Sequence, residues 1–191
     1  MKIKFSALIV CIALMIVSAC SCGTETPREL NPDYTAIFTE NGIEDIDRLD
    51  KTDMNSSAKY EYFARIDEDG IIETSQYAAV YDTVYTEVSA IYYPISDYTD
   101  AQIASFDTAI KEGFSDIEAL EFIETTYTAG EKYYEIVFTI TGLENSENYV
   151  AAAEAGYYSG NPEKGDYISL KATEEYLLEE GFEQKMIVAE K

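Results

Sequence analysis

Residues 133–140 read Tyr-Tyr-Glu-Ile-Val-Phe-Thr-Ile, an alternation typical of a β-strand with one buried face. The apolar face is Tyr134, Ile136, Phe138 and Ile140, and the mixed face is Tyr133, Glu135, Val137 and Thr139. Residues 120–127 are also rich in strand-forming side chains, and Ala129-Gly130 between the two segments is a turn signal. The stretch therefore predicts an antiparallel β-hairpin.

Two more strand segments are predicted nearer the N-terminus. Apolar side chains alternate with polar or mixed ones at Tyr60, Tyr62, Ala64 and Ile66. Asp69-Gly70 is a hairpin turn signal, and Ile71-Ile72 starts the next strand. Residues 77–93 allow two interpretations, because their apolar positions recur at helical spacing while their Val, Thr and Tyr content favours strands. We favour two strands separated near Asp82-Thr83 and keep a helix as the alternative.

Helices are predicted between and after these strands. Thr99 and Gln102 have capping-box spacing, and the apolar helical face that follows leads to a glycine stop at Gly113. That face is Ile103, Phe106, Ile110 and Phe114. A short helix is predicted at 148–155, and a last helix begins after Ser169 and ends at Gly181. Its inner side is Leu170, Thr173, Leu177 and Leu178, and a final strand is predicted at 182–188.

The pattern as a whole predicts an α+β fold, with a mostly antiparallel sheet and two or three helices packed on it. Leu177 and Phe182 are expected to be buried against this sheet. Residues 58–191 form the predicted folded domain. Residues 20–57 are expected to be an acidic tether, in which Ile43, Ile46 and Leu49 have the spacing of a short helix that could dock on the domain.

The first 20 residues have the features of an export signal. Lys2 and Lys4 precede an apolar stretch at 5–17, which is shorter than the roughly 20 residues of a transmembrane helix. Val17-Ser18-Ala19-Cys20 then resembles the bacterial lipobox, in which the cysteine thiol receives a diacylglyceryl group. The sequence predicts a signal peptide at 1–19 and lipid attachment at Cys20, with an ordinary signal peptide as the alternative.

One segment resembles a known family. Residues 166–182 contain Ile-Ser-Leu at 168–170, a charged helix with leucines near its end, and Gly181-Phe182. This order is similar to the C-terminal signature of the YehR-like small lipoproteins, and the upstream turns and the lipobox agree with it. The resemblance covers roughly residues 60–185. It implies an α+β domain of unknown function and adds no chemistry.

Composition excludes several classes of function. The chain has 13 basic and 37 acidic residues, and removal of Lys2 and Lys4 with the signal leaves 11 basic residues and a net charge of −26. Such a charge repels nucleic acid and anionic head groups, so the predicted contact with the membrane is the lipid anchor. The chain has no His, which excludes Ser-His and Cys-His catalysis and His-based zinc sites. Once Cys11 leaves and Cys20 carries lipid, only Cys22 remains and no internal disulfide can form.

No cofactor, metal ligand or catalytic residue is predicted. Asp67-Glu68-Asp69-Gly70 invites a calcium interpretation, but its spacing fails that of a calcium loop, and a hairpin turn is expected instead. A second acidic group, Glu44-Asp45 with Asp47, is interpreted as a solvated surface. We therefore expect a binding module in the cell envelope, lipid-anchored on the outer side of the cytoplasmic membrane or on an outer membrane where one exists. Its partner would be an envelope protein, a peptide or a small ligand, and a hydrolase with an unrecognised carboxylate site is the alternative.

Overall fold

The computed structural model describes residues 48–49 and 58–185. The elements, in chain order, are β1 (Ala58–Ile66), β2 (Ile72–Val80), β3 (Thr83–Pro94), α1 (Asp100–Gly113), α2 (Ser115–Glu118), β4 (Ile123–Ala129), β5 (Tyr133–Ile140), α3 (Ser146–Glu154), α4 (Leu170–Glu179) and β6 (Glu183–Lys185). The strands form one six-stranded sheet in the order β4-β5-β3-β2-β1-β6, and every neighbouring pair is antiparallel. The predicted α+β class is confirmed.

Residues 77–93 form strands, so the two-strand interpretation is confirmed and the helix is wrong. β2 and β3 pair as a hairpin in which Val80 faces Thr83, with Tyr81 and Asp82 in the turn. A β-bulge follows, because Ala79 faces Val84 while Ala78 faces Thr86. The extra residue on β3 resets which side chains point to each face of the sheet. Val84 and Ile91 then pack on one face of the sheet and Val88 on the other, so apolar residues at helix-like spacing occur in a strand that is buried on both faces.

The sheet has a buried core on each face. The helices cover one face, where the core includes Phe63, Tyr77, Ile91, Ile136, Phe138, Leu143, Tyr149, Leu177 and Phe182. The buried residues of the second face are Leu49, Tyr62, Ala64, Ile72, Ala78, Val88, Ala90, Tyr92 and Val137. Burial of Leu177 and Phe182 is confirmed. Leu49 belongs to the predicted tether, yet it packs in the second core.

Local chemistry explains where the helices begin and end. The predicted capping box at α1 is present: the Thr99 hydroxyl accepts the Gln102 N–H, and the Gln102 side chain accepts the Thr99 N–H at 2.9 Å. Ser169 Oγ accepts the Ala172 N–H at 3.1 Å and begins α4. Gly181 follows α4 at φ +85°, a conformation that glycine adopts without strain.

Several predicted boundaries differ in detail. α1 ends at Gly113, but the chain turns at Phe114, with φ −105°, and continues into α2, so Gly113 is not a left-handed stop. β4 begins at Ile123 and not at Leu120, because Leu120 lies in a turn, where its N–H donates to Ile117 O and its carbonyl accepts the Ile123 N–H. The final strand is β6, and residues 186–188 of the predicted strand lie outside the described residues. No helix in the described part of the chain has the length and apolar character to cross a membrane.

Candidate functional site

Glu87 of β3 is a fully buried carboxyl group whose side chain is 0% exposed. Its Oε1 accepts hydrogen bonds from the Ser89 hydroxyl at 2.7 Å and the Tyr157 hydroxyl at 3.0 Å. Its Oε2 accepts a hydrogen bond from the Tyr158 hydroxyl at 2.8 Å. Both carboxyl oxygens are therefore hydrogen-bonded to uncharged donors, which is the condition for burying such a group.

The two tyrosines reach Glu87 from the turn that follows α3. The Tyr157 N–H donates to Ala152 O at 2.8 Å and folds this turn back over the helix-side face of the sheet. The Tyr157 and Tyr158 rings then meet edge to face at 4.8 Å, and Tyr157 also contacts Phe138 at 5.5 Å. Aromatic packing positions the hydroxyls, so the Glu87 site belongs to the buried interior of the domain.

Burial controls the acid–base behaviour of this site. Burial raises the pKa of Glu87, and the hydrogen bonds from Ser89, Tyr158 and Tyr157 oppose that rise. Burial, followed by the nearby charge of Glu87, raises the pKa of Tyr157 and of Tyr158 well above the usual range. A buried carboxyl with a raised pKa is a feature of many catalytic acids. Here the group lacks the solvent access that a substrate would require.

A second buried acid, Glu73 of β2, serves the fold. Burial raises its pKa, and the hydrogen bond and charge of Arg65 lower it. Arg65 forms an ion pair with Glu73 and donates to Glu180 O at 3.0 Å. The guanidinium also lies 4.7 Å from the centre of the Phe182 ring. Arg65 thereby ties the end of α4 to the sheet, so this pair has a structural role.

Arg48 attaches part of the predicted tether to the second face of the sheet. Its backbone N–H donates to Gln76 Oε1 at 2.9 Å, and its side chain forms an ion pair with Glu135. Its Nη2 also lies 3.4 Å from the Tyr92 hydroxyl. Together with the buried Leu49, Arg48 fixes the chain on this face ten residues before β1 begins.

The β2–β3 turn presents an exposed aromatic ring. Tyr81 is 86% exposed and has φ +59°, whereas the other described residues with positive φ are glycines. A two-residue hairpin requires positive φ at this position, and a side chain there costs about 1–2 kcal/mol per residue. Exposure on this scale means that the ring contributes little packing to offset that cost.

Hydrogen bonds connect Asp82, the residue after Tyr81 in the turn, to the start of α4. The Asp82 carboxylate accepts the Ser169 hydroxyl at 2.7 Å and the Lys171 N–H at 2.9 Å, and Asp82 O accepts the Leu170 N–H at 2.9 Å. An acidic group at the start of α4 is also favoured by the helix dipole. These hydrogen bonds hold the β2–β3 hairpin against the start of α4, and the exposed Tyr81 side chain extends from that hairpin.

The structure describes some of the residues singled out in the sequence and not others. Cys20 and the Glu44–Asp47 acidic group lie outside the described residues. Asp67 is in the expected hairpin turn, where its Oδ1 accepts the Asp69 and Ile71 N–H groups at 2.9 Å each. Within residues 48–49 and 58–185 no group of three or more acidic or cysteine side chains is arranged to hold a metal ion. Glu87 was not predicted as a site residue, and its signal in the sequence was a lone acid within a strand that is buried on both faces.

These features define an α+β domain with a sealed buried carboxyl, a docked N-terminal segment and one exposed aromatic turn. In structural comparison the chain is similar to the NMR structure of the YehR protein from Escherichia coli, with 15% identity and a TM-score of 0.49 over 69% of this chain and 93% of that chain. It is also similar to an NMR structure of a protein from Streptococcus pneumoniae TIGR4, with 10% identity and a TM-score of 0.45 over 88% of this chain and 100% of that one. The predicted YehR resemblance is confirmed as a structural match and concerns the fold alone. No family model matches the chain, and no curated protein matches it.

Proposed function

We propose that this chain is an exported bacterial lipoprotein, anchored through lipid on Cys20, whose domain is a binding module in the cell envelope. The observation that carries the proposal is Val17-Ser18-Ala19-Cys20 directly after a basic start and a short apolar stretch. Thioether-linked acyl chains would make the attachment stable, because each buried CH₂ contributes about 0.8 kcal/mol and two chains suffice. The domain would lie outside the cytoplasmic membrane, or on an outer membrane where the source has one.

The state of Glu87 favours a binding module over a hydrolase. A hydrolase built on carboxylates needs an acid or base within hydrogen-bond reach of its substrate. Glu87 is the described carboxyl with the deepest burial, and its oxygens are taken by Ser89, Tyr157 and Tyr158. The exposed Tyr81 on its clamped turn is, by contrast, the kind of aromatic contact that a binding surface uses. The partner would be an envelope protein, a peptide or a small ligand.

Mass spectrometry of the membrane fraction tests the anchor. The mature chain is expected to begin at Cys20 and to carry the mass of acyl chains. Cys20→Ala should leave an unprocessed precursor, because lipid must be added to the thiol before lipoprotein signal peptidase cleaves. Cys22→Ala is the matched control and should be processed normally. Normal processing and release of Cys20→Ala would overturn the proposal.

A further inference from the structure

The sheet has a long strand at one of its edges. β4 has seven residues, and within residues 48–49 and 58–185 it pairs with β5 alone, whereas the strand at the opposite edge, β6, has three residues. The β4–β5 pairing runs without a bulge, and β4 contains neither Pro nor Lys. Shortness, bulges, Pro and Lys are the features that keep natural edge strands from pairing with another chain. β4 therefore lacks the usual protection against a further strand.

The backbone groups on the outer side of β4 follow from its pairing with β5. At the turn between the two strands, the Gly130 N–H donates to Tyr133 O at 2.9 Å. Hydrogen-bonded pairs alternate along an antiparallel ladder, so the even-numbered residues of β4 bond to β5. Thr125, Tyr127 and Ala129 direct their backbone N–H and C=O groups away from β5, and no hydrogen bond joins these groups to another described residue. We call this side of the strand the free edge of β4.

The charges beside the free edge are mainly negative. Glu118, Glu121 and Glu124 are exposed before and at the start of β4. Lys111, which contacts this strand, forms an ion pair with Asp107 at 2.8 Å. A strand added at the free edge would place one of its side chains about 5 Å from that of Glu124, on the same face of the sheet. A basic side chain would be attracted there, and an acidic one would be repelled.

A second copy of this chain fits the free edge less well. Symmetric pairing of two β4 strands about Thr126 would bring Glu121 of one copy beside Glu131 of the other, and like charges opposite each other destabilise a sheet. Two such domains also repel as a whole, since residues 58–185 contain 7 basic and 27 acidic residues, a net charge of −20. The charge of the domain therefore favours a basic partner over a second copy.

We propose that the free edge of β4 binds an extended, basic polypeptide segment, which adds a seventh strand to the sheet. The inference rests on the proposed binding role and names the site and the partner class for it. Main-chain hydrogen bonds with Thr125, Tyr127 and Ala129 supply affinity, as in other proteins that bind a peptide by strand addition. A Lys or Arg of the segment beside Glu124 supplies selectivity, because it forms an ion pair across the two strands.

A synthetic peptide in which Lys alternates with Val and Thr is the probe. It is added to the unlipidated mature chain at about 0.15 M salt, where long-range attraction is screened. Anisotropy of the labelled peptide should show saturable binding, with the largest NMR shifts at the amides of Thr125 and Tyr127. A peptide with Glu in place of each Lys should not bind. A Lys peptide with N-methyl groups in place of its N–H hydrogens should bind at least about tenfold more weakly, because several hydrogen bonds are lost.

Two charge-reversal variants test the contribution of Glu124. Glu124→Lys should weaken binding of the Lys peptide about threefold or more, because an attraction becomes a repulsion. Glu154→Lys is the matched control, since it makes the same change of charge at an exposed position on α3. Its affinity should stay within about twofold of that of the parent chain, because the changed charge is screened by salt. Thermal unfolding of both variants should match the parent chain, which shows that each remains folded.

Each contrary outcome has a distinct meaning. Equal binding of the N-methylated peptide, or equal losses in Glu124→Lys and Glu154→Lys, would show that charge alone attracts the peptide and would overturn the inference. Amide shifts confined to other elements would leave a binding module but place its site away from β4. A dimer of the chain alone that the Lys peptide dissociates in sedimentation would assign the free edge to a second copy. If no peptide binds, the inference is wrong, whereas lipid attachment at Cys20 is judged separately on the membrane fraction.

Discussion

At the scale of single residues, Glu87 links protonation to folding. Its folded-state pKa is raised by burial above the value of about 4.3 that a free Glu side chain has. The folded chain therefore holds the proton to a higher pH than the unfolded chain does. The stability that depends on the protonated carboxyl is complete below the unfolded pKa and is lost as pH rises through the folded pKa.

Replacement of Glu87 by Gln should reduce this pH dependence. Gln has nearly the same shape and no charge, so it retains polar contacts with Ser89, Tyr157 and Tyr158 without the cost of burying an ionised group. From pH 5 to pH 9, the free energy of unfolding of the parent chain should fall more steeply than that of Glu87→Gln. Urea unfolding of the unlipidated mature chain measures both slopes.

The control for this experiment is Glu124→Gln, because Glu124 is exposed on β4. Its slope should match that of the parent chain. Glu73, the other buried acid with a raised pKa, is present in all three proteins, so its contribution cancels. Equal slopes for the parent chain and Glu87→Gln would show that Glu87 does not titrate differently in the folded and unfolded states.

At the scale of elements, α4 shows what the sequence alone reveals. Ser169, Leu177 and Gly181 were sufficient to predict its start, its buried side and its end, because each acts through contacts within a few residues. The placement of Glu87 could not be predicted in this way. Strict alternation would separate Val84 and Glu87, whereas the bulge opposite Ala78 and Ala79 puts both toward the helices.

The conformation of Tyr81 could not be predicted from the sequence either. Its turn depends on pairing between β2 and β3 and on the hydrogen bonds from Asp82 to the start of α4. The break near Asp82-Thr83 was predicted from local residue types, but the positive φ and the exposed ring were not. Candidate functional features in this fold thus arise from contacts distant in sequence. Helix caps and strand alternation arise locally, which is why the fold was more predictable than the site.

Truncation of Leu177 tests whether α4 contributes to stability as its burial implies. Leu177 is 0% exposed in the helix-side core, and a buried Leu→Ala change typically costs about 2–5 kcal/mol, which includes the cavity left behind. Glu180→Ala is the control, since its side chain is exposed and surface changes usually cost less than about 0.5 kcal/mol. Urea unfolding of both variants gives the two costs. If Leu177→Ala and Glu180→Ala cost similar amounts of stability, α4 would be peripheral to the core. The family resemblance, which rests chiefly on this segment, would then be weakened.

At the scale of the whole molecule, two residues of the expected tether contact the domain, as the sequence allowed for the segment that contains Leu49. Arg48 and Leu49 lie in the predicted tether, yet Leu49 is buried among Tyr62, Ala78 and other residues of the second face. The ion pair of Arg48 with Glu135 is partly exposed and adds little by itself. Most of the stabilisation from this segment should therefore come from the apolar contact of Leu49.

Leu49→Ala in the unlipidated mature chain should destabilise the domain by about 2–3 kcal/mol, near the lower end of the range for buried leucines because its site lies at the margin of the core. The free energy of unfolding of a chain of residues 58–191 should be lower than that of a chain of residues 43–191 by at least the same amount, since the shorter chain lacks both Arg48 and Leu49. Urea unfolding measures each difference, with Glu124→Ala as the exposed control. If Leu49→Ala proved as harmless as that control, the segment would not stay on the sheet, and the whole of 20–57 would act as tether. A clear loss of stability would instead show that the stable domain begins at or before Arg48. The predicted tether between the lipid and the domain would then be at most the 27 residues at 21–47.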